Sequence, residues 1–290
     1  MQAKFVKIPE SPQGSFLIRD MNVPYFPNPY HFHPELELTY VIRGTGTRYI
    51  GDHIESFSEG DLVLVGSNLP HLWKNDKIYY QGDPYLKARA IVLQFKDNFL
   101  GEQVFDLPEM KLIKKMIVKS RQGLKIENNN TIATLIKNIA QQSGAERIIN
   151  LLFLLNIIAE SEHTKMLSST IFSVDSSQTG LNRINNVFAY IFENFSDEIS
   201  LDKISKIANL TPTAFCRYFK THTNKTFSTF LIETRIYHSC KLIQNENRSL
   251  SEIAFDSGFN DFSYFSKMFK KMMGMSPKEY RQKTFNSNLF

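Results

Sequence analysis

An internal repeat near the carboxyl end restricts this 290-residue chain more than any other feature. Leu201, Ile204, Ser205, Ala208, Asn209 and Leu210 recur at one constant offset as Leu250, Ile253, Ala254, Ser257, Gly258 and Phe259. One residue is then inserted, after which Phe215, Arg217, Phe219 and Lys220 recur as Phe265, Lys267, Phe269 and Lys270. Self-similarity of this kind means one supersecondary unit built twice. Each copy reads as helix, tight turn, helix. The turn needs a residue tolerant of positive φ, which Gly258 supplies in the second copy and Asn209 in the first. Thr211 then caps a helix with Pro212 at its first position, and Asn260 or Asp261 does the capping in copy two. Ser249 with Glu252, and Ser276 with Glu279, have the spacing of capping boxes.

In the second helix of each copy one face is apolar, with Phe215, Tyr218 and Phe219, or Phe265, Met268 and Phe269, at helical spacing. Burying that face leaves the opposite one to solvent or a partner. It presents Thr213, Cys216, Arg217 and Lys220 in copy one, and Phe262, Ser263, Ser266, Lys267, Lys270 and Lys271 in copy two. The formal net charge of +5 is carried entirely by residues 181–290, whereas the first 180 residues balance. A basic module beside a neutral one is expected where only one of them meets a polyanion. These faces are therefore assigned to the major groove of double-stranded DNA, with Arg217 suited to a guanine edge. Lys220, Lys270 and Lys271 suit phosphates, which fix position without reading sequence. A helix over about 227–243 joins the copies; at about 1.5 Å per residue it spans about 25 Å. Such a strut holds two recognition helices close to one DNA turn apart, roughly 34 Å. The competing reading is a helical bundle whose Lys and Arg merely solvate its surface. Repeat, caps and charge segregation together speak against it.

The stretch Ser200 to Arg281 resembles the DNA-binding domain of the AraC/XylS family. The resemblance is carried by Ser257-Gly258-Phe259, Tyr264-Phe265-Ser266-Lys267, Phe269-Lys270 and the closing Gly274-Met275-Ser276-Pro277-Lys278-Glu279-Tyr280-Arg281. It implies a non-enzymatic regulator that activates or represses at promoters in response to a small-molecule effector, with RNA polymerase as a partner and a homodimer as the working form. Copy one departs from the family where Asn209 replaces the usual glycine.

Ahead of the repeat, candidate strands at 16–19, 35–42, 47–50, 61–65 and 88–95 are punctuated by Gly44, Gly46, Gly51, Gly60 and Gly66. From about residue 108 the period becomes helical. Residues 173–180 are small and polar. The expected fold class is α+β. A cupin-like β-barrel of jelly-roll type spans 1–107 and a helical extension 108–172. A linker at 173–180 precedes an all-α domain over 181–290, with two helix-turn-helix units joined by a long helix. The run Ile148 to Ile158 is apolar nearly all round and is broken by Asn150 and Asn156. It is too short to span a bilayer. It suits a buried helix or, with the helix before it, a dimer interface in which the two asparagines set register. No membrane association is expected. The amino terminus lacks an apolar signal region, and two cysteines make no disulfide framework, so a cytoplasmic location is expected.

His31, His33, Glu37 and Gly44 follow His-x-His-x3-Glu-x6-Gly, and Gly60, His71 and Asn75 fit a second spacing in which Gly66 and Asn68 replace the usual Pro and Gly. Both resemble the conserved motifs of the cupin barrel. On one strand, residues 31, 33 and 37 share a face, although Pro34 interrupts it. Three readings stay open: a divalent transition metal on His31, His33, Glu37 and His71, an organic effector pocket without metal, and structural histidines. Trp73 suits stacking on a ligand or a place in the core, and Arg43 suits an anionic ligand or an exposed strand end. A metal-dependent cupin enzyme with a DNA-binding tail is the competing function. His53, His163, His222 and His238 have no motif context.

Overall fold

Alternating side chains dictate two sheets in the first half of the chain. The strands are β1 (Lys4–Phe5), β2 (Phe16–Val23), β3 (His31–Phe32), β4 (Leu36–Arg43), β5 (Gly46–Ile50), β6 (His53–Phe57), β7 (Leu62–Val65), β8 (His71–Asn75), β9 (Ala88–Phe95), β10 (Leu124–Ile126) and β11 (Thr164–Met166). One sheet has the order β1-β3-β8-β5-β6 and the other β11-β10-β7-β4-β9-β2. Only the short β1–β3 ladder is parallel among the described pairings. This computed structural model describes residues 4–6, 8, 14–28, 30–101, 103–127, 130–169, 178–223, 225–243 and 248–287.

The second sheet is covered on both faces, which explains why its strands read as nearly continuous apolar runs. Leu36, Leu38, Tyr40, Leu62, Leu64, Ile91, Leu93 and Phe95 face a cluster shared with α1 (Lys111–Lys119), α2 (Asn130–Gln141) and α3 (Gly144–Glu160). The helices contribute Ile113, Met116, Ile132, Ile136, Ile139, Leu151, Leu154, Leu155 and Ile158, all buried. At about 1.5–3 kcal/mol for each such side chain, this layer belongs to the sheet's own core. The alternate residues Glu37, Thr39, Val63, Val65, Ala90, Val92 and Gln94 take the opposite face.

Within the span 108–172, expected to be helical, β10 and β11 are strands, and β10 pairs with β7 through Leu124↔Leu64. Three alternating residues are too few to register against the surrounding helical period. The Asn150 amide donates to Gln142 Oε1 at 2.9 Å within the chain. The exposed residues of α2, Asn130, Thr131, Thr134, Lys137, Asn138 and Gln141, are polar.

The chain divides into two compact units between Asp175 and Ser176. Residues 173–177 of the expected linker lie outside the described residues, and Gln178–Gly180 form the first turn of a helix instead. The second unit comprises α4 (Gln178–Asn194), α5 (Leu201–Ile207), α6 (Pro212–Thr223), α7 (Phe227–Ile243), α8 (Leu250–Asp256), α9 (Phe262–Met273) and α10 (Pro277–Ser287). The two repeat copies close their first helices identically. Asn209 N–H donates to Lys206 O and Leu210 N–H to Ser205 O; Gly258 N–H donates to Phe255 O and Phe259 N–H to Ala254 O. This is the paired closure that a left-handed residue permits after a helix, and φ is 51° at Asn209 and 89° at Gly258.

Helix α7 serves two cores, one at each end, so its buried residues do not fall on a single stripe. Phe227 and Phe230 pack with Phe188, Phe192, Phe215 and Phe219. Ile236, Cys240 and Ile243 pack with Ile253, Phe259, Phe265 and Phe269.

Candidate nucleic-acid interface and barrel site

The two recognition-type helices are fixed by caps that local sequence supplies. Thr211 Oγ1 accepts from Ala214 N–H at 3.3 Å and opens α6. Asp261, not Asn260, opens α9, its Oδ1 accepting from Tyr264 N–H at 2.6 Å. Ser249 and Glu252 form a complete capping box on α8. Ser276 Oγ accepts from Glu279 N–H at 3.3 Å, while Glu279 accepts from Ser276 N–H at 2.7 Å. With these ends satisfied, Phe215, Phe219, Phe265 and Phe269 are buried. Thr213, Cys216, Arg217 and Lys220 on α6 are exposed together, as are Phe262, Ser263, Lys267, Lys270 and Lys271 on α9; Ser266 is half-buried. Arg217 and Lys220 also line an open cleft of about 740 Å³, together with Phe227, Leu231, Ile232 and Arg235 of α7 and Tyr264 of α9.

In the barrel, the chain crosses from one sheet to the other at Pro34, so the expected single strand face through residues 31, 33 and 37 does not exist. His31 lies on β3 and Glu37 on β4, in opposing sheets. Convergence across the barrel achieves what a shared face would not. The ligand atoms of His31, His33, Glu37 and His71 lie within 4.8 Å of one another, and all four residues are buried. Register brings them there: His71 pairs with His31 and with Ile50, and Glu37 with Gln94 and Val65.

Glu37 accepts from Thr39 Oγ1 at 2.8 Å and from Gln94 Nε2 at 2.7 Å. Burial raises its pKa, but the charges of His71 and His33 and their hydrogen bonds outweigh burial and hold it well below the usual carboxylate range. His71 Nδ1 stands 2.8 Å from Leu69 O, a carbonyl that can only accept, so this nitrogen carries the hydrogen. The opposite nitrogen, Nε2, is buried with no hydrogen-bond partner and stands 3.7 Å from Glu37 Oε1. His33 Nδ1 likewise faces Glu35 O at 3.1 Å, leaving Nε2 3.1 Å from Glu37 Oε2. An imidazole nitrogen and a carboxylate meet at that distance through a shared proton or a cation. The donor set therefore fits a divalent transition metal.

The adjoining cavity, lined among others by His31, Glu37, Thr39, Trp73, Ala90 and Val92, has a volume of about 20 Å³. That is space for a water molecule or an ion, well short of the roughly 300 Å³ of a small-molecule pocket. Trp73 lines it with its indole Nε1 buried and unpartnered. Arg43 does not belong to the site: it is exposed at the end of β4 and donates to Asn22 Oδ1 at 3.2 Å. Asn75 is structural, accepting from Phe26 N–H at 2.7 Å and donating to Thr45 O at 3.2 Å. Asn68 stands where the cupin motif has glycine because it adopts a φ of 59°, which asparagine tolerates. Sequence reasoning had no signal for Thr39 and Gln94, whose roles depend on register. It had none for Arg48 either, a fully buried arginine bound to Asp61 at 2.6 Å and to Glu55 at 2.5 Å.

Residues 204–283 match the helix-turn-helix domain family and residues 25–77 the cupin domain family. An uncharacterized HTH-type transcriptional regulator, YdeC, of Bacillus subtilis is 22% identical over 278 residues, covering 88% of this chain and 86% of that one. The HTH-type transcriptional activator RhaR of Mannheimia succiniciproducens is 22% identical, covering 89% and 88%. The Msm operon regulatory protein of Streptococcus mutans is 25% identical, covering 89% of each. Duplicated helix-turn-helix units on a shared strut, preceded by a cupin barrel, define a DNA-binding transcription regulator. Within that class, its helix-turn-helix domain is of the AraC type and its relatives are AraC-family regulators.

Proposed function

We propose that this regulator places α6 and α9 in successive major grooves of one promoter site. The observation that carries this reading is a pair of identically closed turns in one unit, each followed by a separately capped helix that exposes a cationic face. In this reading Thr213, Cys216, Arg217, Phe262, Ser263, Ser266 and Lys267 face base edges, and Lys220, Lys270 and Lys271 hold phosphates. Binding to a selected duplex is expected at nanomolar concentration and to weaken steeply with salt. Equal affinity for all duplexes, or affinity indifferent to salt, contradicts it.

We infer that the output is activation or repression, with RNA polymerase as the protein partner, exerted in the cytoplasm and without catalysis. The relatives named above are transcription regulators. A homodimer is inferred through α3, where Ile149 and Phe153, one turn apart, are 63% and 52% exposed. Sedimentation of wild type as a dimer and of Phe153→Lys as a monomer is the expected result; a monomeric wild type at micromolar concentration removes the inference.

For the barrel, the unpartnered Nε2 of His71 and the ion-sized cavity favour a divalent transition metal held by His31, His33, Glu37 and His71. Such an ion would supply a Lewis-acidic anchor for an anionic or carbonyl group of an effector. An organic effector at the same place requires the cavity beside Trp73 to enlarge. Equilibrium dialysis against Zn²⁺ or Ni²⁺ decides: one equivalent in wild type and loss in His71→Ala is expected, whereas no uptake by wild type returns the site to a metal-free role.

A further inference from the structure

Gly258 serves the second turn in two ways, and only one of them has a counterpart in the first turn. Both turns require positive φ. At Gly258, however, a Cβ would also lie 2.8 Å from Arg235 Nε, 2.8 Å from Phe195 O and 2.9 Å from Ser196 O. Asn209 is exposed, so conformation is the sole demand there and asparagine satisfies it.

The extra demand comes from Arg235. This half-buried residue of α7 donates from Nε to Phe195 O at 2.7 Å and from Nη2 to Asp197 O at 2.9 Å. It thereby satisfies carbonyls just beyond the end of α4. Its Cζ stands 6.0 Å from the ring centroid of Phe259, the residue after Gly258 and a member of the second copy's core. One guanidinium thus joins the end of α4, the middle of the strut and the turn of copy two. In the sequence it sits between Leu231 and Ile236, where α7 passes from one core to the other. A single helix fixes distance along its axis. A cross-brace is needed to fix how the second copy is rotated and tilted about that axis.

We propose that Arg235 is a positioning residue for DNA recognition, holding α6 and α9 at one separation and one rotational phase so that only one spacing of half-sites is read. The proposal rests on the assignment of α6 and α9 as recognition helices. A lysine at this place keeps the charge but lacks the fork that serves two carbonyls at once.

The test selects bound duplexes from a random pool with full-length wild type, Arg235→Met and Arg235→Lys, and reads the spacing between enriched half-sites. Wild type is expected to enrich one spacing. Arg235→Met, shown folded by circular dichroism, is expected to enrich two or more. Its preference for the native spacing over a one-base-pair shift should fall from about tenfold or more to under about threefold. Arg235→Lys should lie between. If folded Arg235→Met keeps the single spacing, or loses affinity equally for native and shifted duplexes, the residue is a plain DNA contact or a structural one and the proposal is overturned. Should the methionine variant not fold, the lysine variant decides on the same readout: an unchanged spacing overturns the proposal. A wild type that enriches no bipartite site overturns the recognition-helix assignment itself, a result distinguishable from either variant's.

Discussion

Arg217 and Lys270 are both exposed cations on recognition-type helices, yet they are assigned different work. Arg217→Ala should relax preference at one base position by about 1–3 kcal/mol, read as competition between matched and mismatched duplexes. Lys270→Ala should weaken all sequences alike and lower the slope of log affinity against log salt by about one. If both variants behave alike, the division between reading and positioning is wrong. Gly258→Ala should destabilise the protein by about 1–3 kcal/mol in denaturant unfolding, because strain at positive φ adds to the contact with backbone oxygens. Asn209→Gly should stay within about 1 kcal/mol of wild type. In the barrel, Arg48→Met leaves Asp61 buried without its partner, an expected loss of about 3–5 kcal/mol by the same measurement. His31, His33, Glu37 and His71 were legible as a set because motif spacing survives any route of the chain. Their common strand face was not, since Pro34 sends the chain across to the other sheet, and the choice between ligand and exposed strand end for Arg43 was not, because an arginine near a motif looks the same inside or outside a barrel.

At the scale of elements, the helices of the second unit were legible almost to the residue, because their signals are local: a cap, an apolar stripe, a left-handed closing residue. The strands β10 and β11 were hidden because their partners lie far away in sequence. The caps also carry a pH dependence. Glu252 is held below its ordinary value of 4.5 chiefly by the backbone N–H of Ser249, and Glu279 likewise by that of Ser276. A depressed carboxylate contributes stability that is complete above its unfolded pKa and is lost as pH falls through the folded one. The melting temperature of wild type should therefore drop as pH falls below about 4.5 more steeply than that of Glu252→Gln/Glu279→Gln, since glutamine still caps and does not titrate. Parallel curves for the two proteins would show that the boxes contribute nothing to acid sensitivity.

For the whole molecule, charge segregation was the global signal that tied local patterns to a partner. The entire formal excess of +5 lies in the stretch that forms the second unit's helices. The account stands on two helices of that unit entering two grooves on one side of a duplex. Hydroxyl-radical footprinting of the full-length protein on a duplex it has selected tests this most directly. Two protected windows per half-site pair, centred roughly 10–10.5 base pairs apart on the same face, are predicted. A single window, or protection spread evenly around the helix, would contradict the account.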